Sequence, residues 1–344
     1  MRDHRRIGPD ESAPAAEGRD ARGAAAPQSV HQPVMVQEVC QLLQPRPGDV
    51  IVDCNVGTGG HSLALLEVWG EEGFLVGLDL DDAMLSIARQ RFRSRGIPSR
   101  SYALVHANHS DLARVLGDLG LDQADRIVMD LGASSLHFDD PARGFACHLE
   151  GPLDMRYDRS AGGPTAADAV NTWEQAKLAA LFRREGDERW ADRIARRLVE
   201  RRARKPFETT VDLAETVAAA VPRKAWPRRI HPATRVFLAL RVEVNHEADS
   251  LREGLEAALQ VLGPGGRMAA LTFQSHEDRI VKRRFRRACR PEMDETDPWG
   301  REKAPARFRD LTRRPLEPRA AETETNPRAR SAKLRGVERL ARAE

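Results

Sequence analysis

Residues 50–61 read Val-Ile-Val-Asp-Cys-Asn-Val-Gly-Thr-Gly-Gly-His, an apolar run that ends in an acid and passes through a glycine-rich turn into a helical pattern. This is how an α/β fold builds a cofactor cradle. The strand stops at the sheet edge, the glycines of Gly57-Thr-Gly-Gly60 admit a close ligand, and the helix start offers free N–H donors. The next strand, Gly73–Asp79, ends in its own carboxylate, at a separation from the glycines that suits the hydroxyls of a ribose. No Gly-Lys-Ser/Thr follows, so the loop is not a triphosphate-binding P-loop. Ser62 stands where a dinucleotide fingerprint begun at Gly57 needs its third glycine. A nucleoside cofactor without a pyrophosphate fits better, and S-adenosyl-L-methionine is the foremost choice. A dinucleotide-dependent oxidoreductase is the poorer reading.

The pattern around this loop predicts a doubly wound, mainly parallel sheet of Rossmann-like type. Strands are expected at Val50–Asp53, Phe74–Asp79, Ser101–His106 and Arg126–Asp130. Helices are expected from His61, over Asp82–Arg95 with Asp82 as N-cap, and from Ser110. From Leu136 to Arg229 the alternation gives way to helical patterns (Trp173–Arg184, Glu188–Arg204, Val211–Ala220). It resumes with one long helix from Pro232 to Leu262, the turn Gly263-Pro-Gly-Gly266, a strand Arg267–Phe273 and a helix from His276. The economical organisation has four parts. They are a disordered extension (1–29), a discontinuous core (30–135 and 230–344) and an inserted, mostly helical substrate-recognition domain (136–229), with a loosely ordered tail after Pro291 that holds a short hairpin near Phe308–Pro315.

Basic and acidic residues nearly balance, 55 against 52, so net charge implies no polyanion; clustering does. The runs Arg279–Arg290, with Lys282 and Arg283, and Arg328–Arg335, with Arg328 and Arg330, have the character of phosphate contacts as much as of solvated helix faces. Cys40, Cys54, Cys147 and Cys289 lie far apart, which argues against a zinc site or a disulfide framework, and no metal is expected. No apolar run is long enough to span a bilayer and no secretory signal stands at the N-terminus, so a cytoplasmic protein is expected.

Asp130-Leu-Gly-Ala-Ser-Ser135 follows the fourth strand, at the edge where ligands bind in this architecture. A carboxylate there can accept hydrogen bonds from an exocyclic amine and orient its lone pair, which makes Asp130, with Ser134 and Ser135, the candidate catalytic group. Neither this loop nor Thr272–Arg279 contains a cysteine. Attack through a pyrimidine ring carbon, which needs such a nucleophile, fits less well than direct attack by an amine. Arg143-Gly-Phe145 and Gly151-Pro-Leu-Asp-Met-Arg156 form an aperiodic loop in which Arg156 either pairs with Asp154 or meets phosphate.

Taken in order, these motifs resemble the bacterial 16S ribosomal RNA (cytosine-N4)-methyltransferase family. They are His31-Gln-Pro-Val, Gly-Thr-Gly-Gly-His61, Asp130-Leu-Gly-Ala-Ser-Ser, Arg143-Gly-Phe, Gly151-Pro-Leu-Asp-Met-Arg, Gly186-Asp-Glu-Arg, His231-Pro-Ala-Thr-Arg235, Glu277-Asp-Arg-Ile-Val-Lys282 and Asn326-Pro-Arg-Ala-Arg-Ser. The resemblance covers about His31–Arg339. It implies methylation of a cytosine amine in the small-subunit decoding centre. It also implies S-adenosylmethionine contacts at Gly59, Gly60, His61, Asp79 and Asp130, and at His109 and His137, where the family more often carries Phe and Gln. Further departures are Asn55 for a usual Thr, Leu238 for Gln, Gln274 for His and His276 for Leu. These departures motivate an alternative, a non-catalytic RNA-binding or assembly factor. Expected partners are 16S rRNA within the small subunit, with Arg143, Arg156 and Arg235 joining the phosphate candidates above, and a homodimer compatible with the sequence.

Overall fold

The computed structural model describes residues 33–69, 72–228, 230–293 and 302–341. The N-terminal extension, His31 and the segment after Met293 up to Arg301 lie outside the described residues.

The chain runs α1 (Val36–Leu43), β1 (Val50–Asp53), α2 (Gly60–Trp69), β2 (Phe74–Asp79), α3 (Asp82–Ser94), β3 (Tyr102–His106), α4 (Leu112–Asp118), β4 (Ala124–Asp130) and α5 (Ser135–Asp139). It continues through the helices α6 (Ala166–Thr172), α7 (Gln175–Arg184), α8 (Ala191–Arg202), α9 (Thr210–Ala220), α10 (Thr234–Val244) and α11 (Glu247–Val261). Last come β5 (Leu262–Thr272), α12 (Ser275–Ala288), β6 (Glu292–Met293), β7 (Glu302–Ala304), β8 (Phe308–Asp310), α13 (Ala320–Thr325) and β9 (Lys333–Arg339).

Seven strands form one sheet in the order β3-β2-β1-β4-β5-β9-β8, parallel from β3 to β5, with β9 antiparallel to both its neighbours. Alternate residues feed opposite faces, as the two-residue strand period requires. Ile51, Leu75, Val128 and Ala269 pack beneath α1 and α2, whereas Val52, Val76, Ile127 and Ala270 pack against α4, α11 and α12. Burial on both faces explains why these strands are almost wholly apolar. The chain order reverses between β1 and β4, so a crevice opens at their carboxyl ends. Asp53, Asp79 and Asp130 end β1, β2 and β4 side by side there.

The helical region has its own apolar centre, which runs from Phe145 through Phe182, Ile194, Phe207 and Val217 to Val236, Phe237 and Leu240 of α10. Thus α10, a helix the sequence pattern joins to the sheet core, shares its apolar face with the helical region.

Three local expectations are corrected. The N-cap of α3 is Asp81, not Asp82: its carboxylate accepts the Ala83 N–H at 3.0 Å. The long helix from Pro232 breaks at Asn245 and His246, where His246 takes a left-handed φ of 50°. Asn245 holds the break by donating to the carbonyls of Met155 and Arg241 and accepting the Tyr157 N–H. The tail is no local hairpin: β8 pairs with β9, and β9 lies between β8 and β5, with Leu334 and Val337 fully buried. Its partner β5 lies more than sixty residues back in sequence, so no local pattern marks that pairing.

Candidate active site

The crevice is a cavity of about 460 Å³ above the ends of β1, β2 and β4, closed by the starts of α11 and α12 and by Arg328 and Ser331. The glycine loop shapes one side. Gly57 has a φ of 51°, and its N–H donates to Asp79 Oδ2 at 2.8 Å. Gly59, at φ 80°, does not line the cavity. A Cβ on it would lie 2.7 Å from the Phe92 ring, so this glycine seats α2 against α3. Gly60 lines the cavity at the start of α2, whose first-turn N–H groups have no acceptor within the helix.

Asp79 accepts a second bond, from the Asp81 N–H at 2.9 Å. Its burial outweighs both bonds and raises its pKa to about 6. The neighbouring Asp81 is driven the other way: Arg143 and His137 overcome the cost of its burial and hold it at about 2. His137 Nδ1 accepts the Ser134 N–H at 3.1 Å. Its proton therefore sits on Nε2, which donates to Asp81 Oδ2 at 2.9 Å. The ring stacks on Phe145 at a 5.2 Å centroid distance and an angle of 24°, and Phe145 stacks on Tyr157.

His61 is spent on the protein through both ring nitrogens. Nε2 donates to the Val34 carbonyl at 2.8 Å, and Nδ1 lies 3.3 Å from Asp130 Oδ2. Burial alone would lower its pKa. The charge and hydrogen bond of Asp130, with Asp53 and the Val34 carbonyl, raise it to about 9, so the ring is an imidazolium at neutral pH. Asp53 is itself buried and accepts the Ser62 hydroxyl. The other oxygen of Asp130, Oδ1, is buried and has no hydrogen-bond partner. Asn55 Oδ1 and His109 Nε2 share that condition, and all three residues line the cavity. Burial pushes the His109 pKa down to about 4, and Gly254 leaves room for its ring: a Cβ there would lie 2.2 Å from His109 Cδ2.

The far wall was not foreseen from the sequence. Arg241 is buried and forks onto Glu247 with two bonds of 2.8 Å; Tyr157 donates to the same carboxylate, and Glu277 lies 3.9 Å away. Burial raises the Glu277 pKa against the opposing charge of Arg241. Glu277 also accepts the N–H groups of Phe273 and Gln274, which fixes the start of α12. One signal was available: Arg241 falls on the apolar stripe of its helix, beside Phe237 and Leu240, and a charge there demands an internal partner.

The remaining expected residues divide clearly. Ser134 lines the cavity, but its hydroxyl caps α5; Ser135 is buried at the first position of α5 and does not line it. Arg143 is committed to Asp81 and to the carbonyls of Arg156 and Tyr157, and Arg156 forks onto Asp154 at 2.7 and 2.9 Å. These two guanidinium groups are paired inside the fold. Arg235 bonds the Asp187 carbonyl at the surface, Lys282 is half-buried on α12, and Arg283 and Arg330 are exposed. Arg328 lies at the cavity mouth, 3.4 Å from Asp139.

Comparison with known proteins agrees with this architecture. The chain is 47% identical over 315 residues to the "Ribosomal RNA small subunit methyltransferase H" of Syntrophotalea carbinolica, covering 90% of this chain and 98% of that one. It is 44% identical to the protein of the same name from Geobacter sulfurreducens, covering 90% and 99%. The Symbiobacterium thermophilum protein of that name is also 44% identical, covering 90% and 96%. A family model described as the MraW methylase family matches residues 28–340. With a sheet-edge cavity lined by the strand-end carboxylates Asp79 and Asp130 and that match over nearly its whole length, the chain belongs to the MraW methylase family.

Proposed function

We propose that this enzyme methylates the exocyclic N4 amine of a cytosine in the 16S rRNA of the small ribosomal subunit, at the decoding centre, using S-adenosyl-L-methionine. The observation that carries the reading is Asp130 Oδ1, a buried carboxylate oxygen without a partner on the cavity wall. A buried acceptor left unpaired costs stability, and a donor from a ligand removes that cost.

The cavity fits the cofactor. Asp79 retains lone pairs for the ribose hydroxyls, the start of α2 and Gly57 border the loop side, and Asn55 Oδ1 and His109 Nε2 offer unpaired polar atoms to the nucleoside. When bound, the cofactor supplies a methyl group activated on a sulfonium. The protein must make the amine a nucleophile, since its lone pair is delocalised into the pyrimidine ring. Asp130 Oδ1 accepts an amine N–H and turns the lone pair out of conjugation, while His61 clamps Oδ2 and fixes the carboxylate. His61 carries protons on both nitrogens and cannot serve as a base, so the amine proton leaves by way of Asp130 Oδ1 or water. Ser134 acts by holding the α5 turn.

The target base must leave its stack to reach this depth. Residues 136–229 are assigned to grip the RNA, with Arg235, Lys282, Arg283, Arg328 and Arg330 on its phosphates. A ribosomal substrate places the enzyme in the cytoplasm. The test is methyl transfer from labelled S-adenosylmethionine to unmodified small subunits, with nucleoside analysis. The expected product is N4-methylcytidine, absent with Asp130→Ala. Cofactor binding without label transfer would overturn the reading in favour of a binding factor.

A further inference from the structure

Beside the cavity lies a second concavity, a groove of about 800 Å³ between α12 and the α10–α11 corner. His276 and Ala248 line both, so the two adjoin. One face of α12 forms the groove's lip: His276 at the junction, then Arg279, Arg283 and Arg287. The three arginines follow one another every four residues, about 6 Å apart along the helix axis. All three are exposed, and none has an ion-pair partner among the described residues. The opposite wall carries carboxylates that are mostly paired already. Arg184 pairs with Glu185 and Glu243, Arg252 with Asp249, and Arg284 with Glu256; Glu253 alone among the described wall acids has no such partner. Since Arg184 is shared by two acids, the lining holds six arginines against five carboxylates, and its unpaired cations lie together on α12. At the junction, His276 Nε2 is buried without a hydrogen-bond partner, although nothing in the capping of α12 requires a histidine there.

We propose that this groove is the track of the RNA strand that flanks the target base. The nucleotide adjacent to the target passes His276, which donates or accepts at Nε2, and successive phosphates lie on Arg279, Arg283 and Arg287. The inference rests on reading the cavity as the methylation site. It makes the groove, rather than the helical region alone, responsible for placing the target base at Asp130.

The test is the triple variant Arg279→Gln, Arg283→Gln, Arg287→Gln in the full chain. Its KM for unmethylated small subunits is expected to rise at least about tenfold, with kcat and S-adenosylhomocysteine affinity within twofold. Its log KM against log salt should flatten by about 2, as loss of three phosphate contacts to a single strand requires. His276→Leu should raise KM several-fold, and His276→Gln, which restores a polar group, should recover most of it. Unchanged KM and salt slope in the triple variant, with the wild type active, would overturn the track. Binding of a fluorescent single-stranded RNA decamer, read by anisotropy, separates this idea from the functional reading. Weakened decamer binding by the triple variant supports the track even if no subunit is methylated. Decamer binding equal to wild type, or crosslinks from residue 283 to ribosomal protein rather than RNA, overturns it.

Discussion

On one side of the cavity His61 and Asp130 form a buried pair; on the other, Arg241 sits between Glu247 and Glu277. Both clusters take charge out of water, yet they are finished differently. Arg241 is forked onto Glu247, which also accepts the Tyr157 hydroxyl, and faces Glu277, whose other oxygen accepts two backbone N–H groups. In the His61–Asp130 pair the histidine is saturated and the carboxylate is not. The Arg241 cluster is tied into the surrounding fold, and through Glu277 it fixes the start of α12. That free oxygen of Asp130 is the one proposed to accept the target amine.

The difference can be tested by breaking each cluster in turn. The largest effect is expected from Arg241→Met, which strands the buried Glu277 and the partly buried Glu247 and should lower the free energy of unfolding by about 3–5 kcal/mol. Urea denaturation measures it, and a loss below 1 kcal/mol would show that the cluster is not the scaffold described. Next comes Asp130→Asn, which keeps the shape but exchanges an acceptor charge for an amide. Single-turnover methylation should slow about 10²–10³-fold while the protein stays folded. An equal loss of stability and rate would erase the contrast between the clusters.

A smaller effect is set by Asp79. Its pKa of about 6 lies above the ordinary carboxylate range, so the acid is protonated as pH falls through 6 and loses acceptor capacity for ribose hydroxyls. Affinity for S-adenosylhomocysteine should fall up to about tenfold per pH unit below that point. Calorimetry from pH 5 to 8 on wild type and Asp79→Asn tests this, and a pH dependence that survives in the variant assigns it elsewhere.

His61 has the opposite sign. Its raised pKa adds stability that is complete below the ordinary histidine range and disappears as pH rises through about 9. The stability advantage of wild type over His61→Gln should therefore shrink between pH 7 and pH 10, which denaturation at the two pH values would show. His137→Gln should do least: glutamine can also donate to Asp81, and cofactor affinity is expected to stay within about threefold, whereas His137→Leu leaves that carboxylate to Arg143 alone.

The two clusters also differ in how far the sequence exposes them. His61 belongs to the glycine loop, and Asp130 ends an apolar run that is visibly a strand. The loop, both acids and the parallel core were therefore legible from local pattern alone. Arg241, Glu247 and Glu277 lie on three helices, one of which begins at a break that helical periodicity passes over, because Asn245 is held from outside by Met155 and Tyr157. The phosphate candidates divide the same way. Composition marks a basic run such as Arg279–Arg290, but it cannot show that Arg143 answers to Asp81 and Arg156 to Asp154.

The sequence by itself therefore determined the elements whose cause is local: strand, glycine turn, helix start, and the acid at each strand end, since backbone sterics and two-sided burial write these into consecutive residues. Tertiary structure alone decided which charges are consumed and which remain free. Pairing depends on distances between elements far apart in the chain: β9 beside β5, α12 beside α11, Asp81 against both His137 and Arg143. A carboxylate's neighbours in space set its hydrogen bonds, and no stretch of sequence around Asp130 records that one of its oxygens is left without a partner.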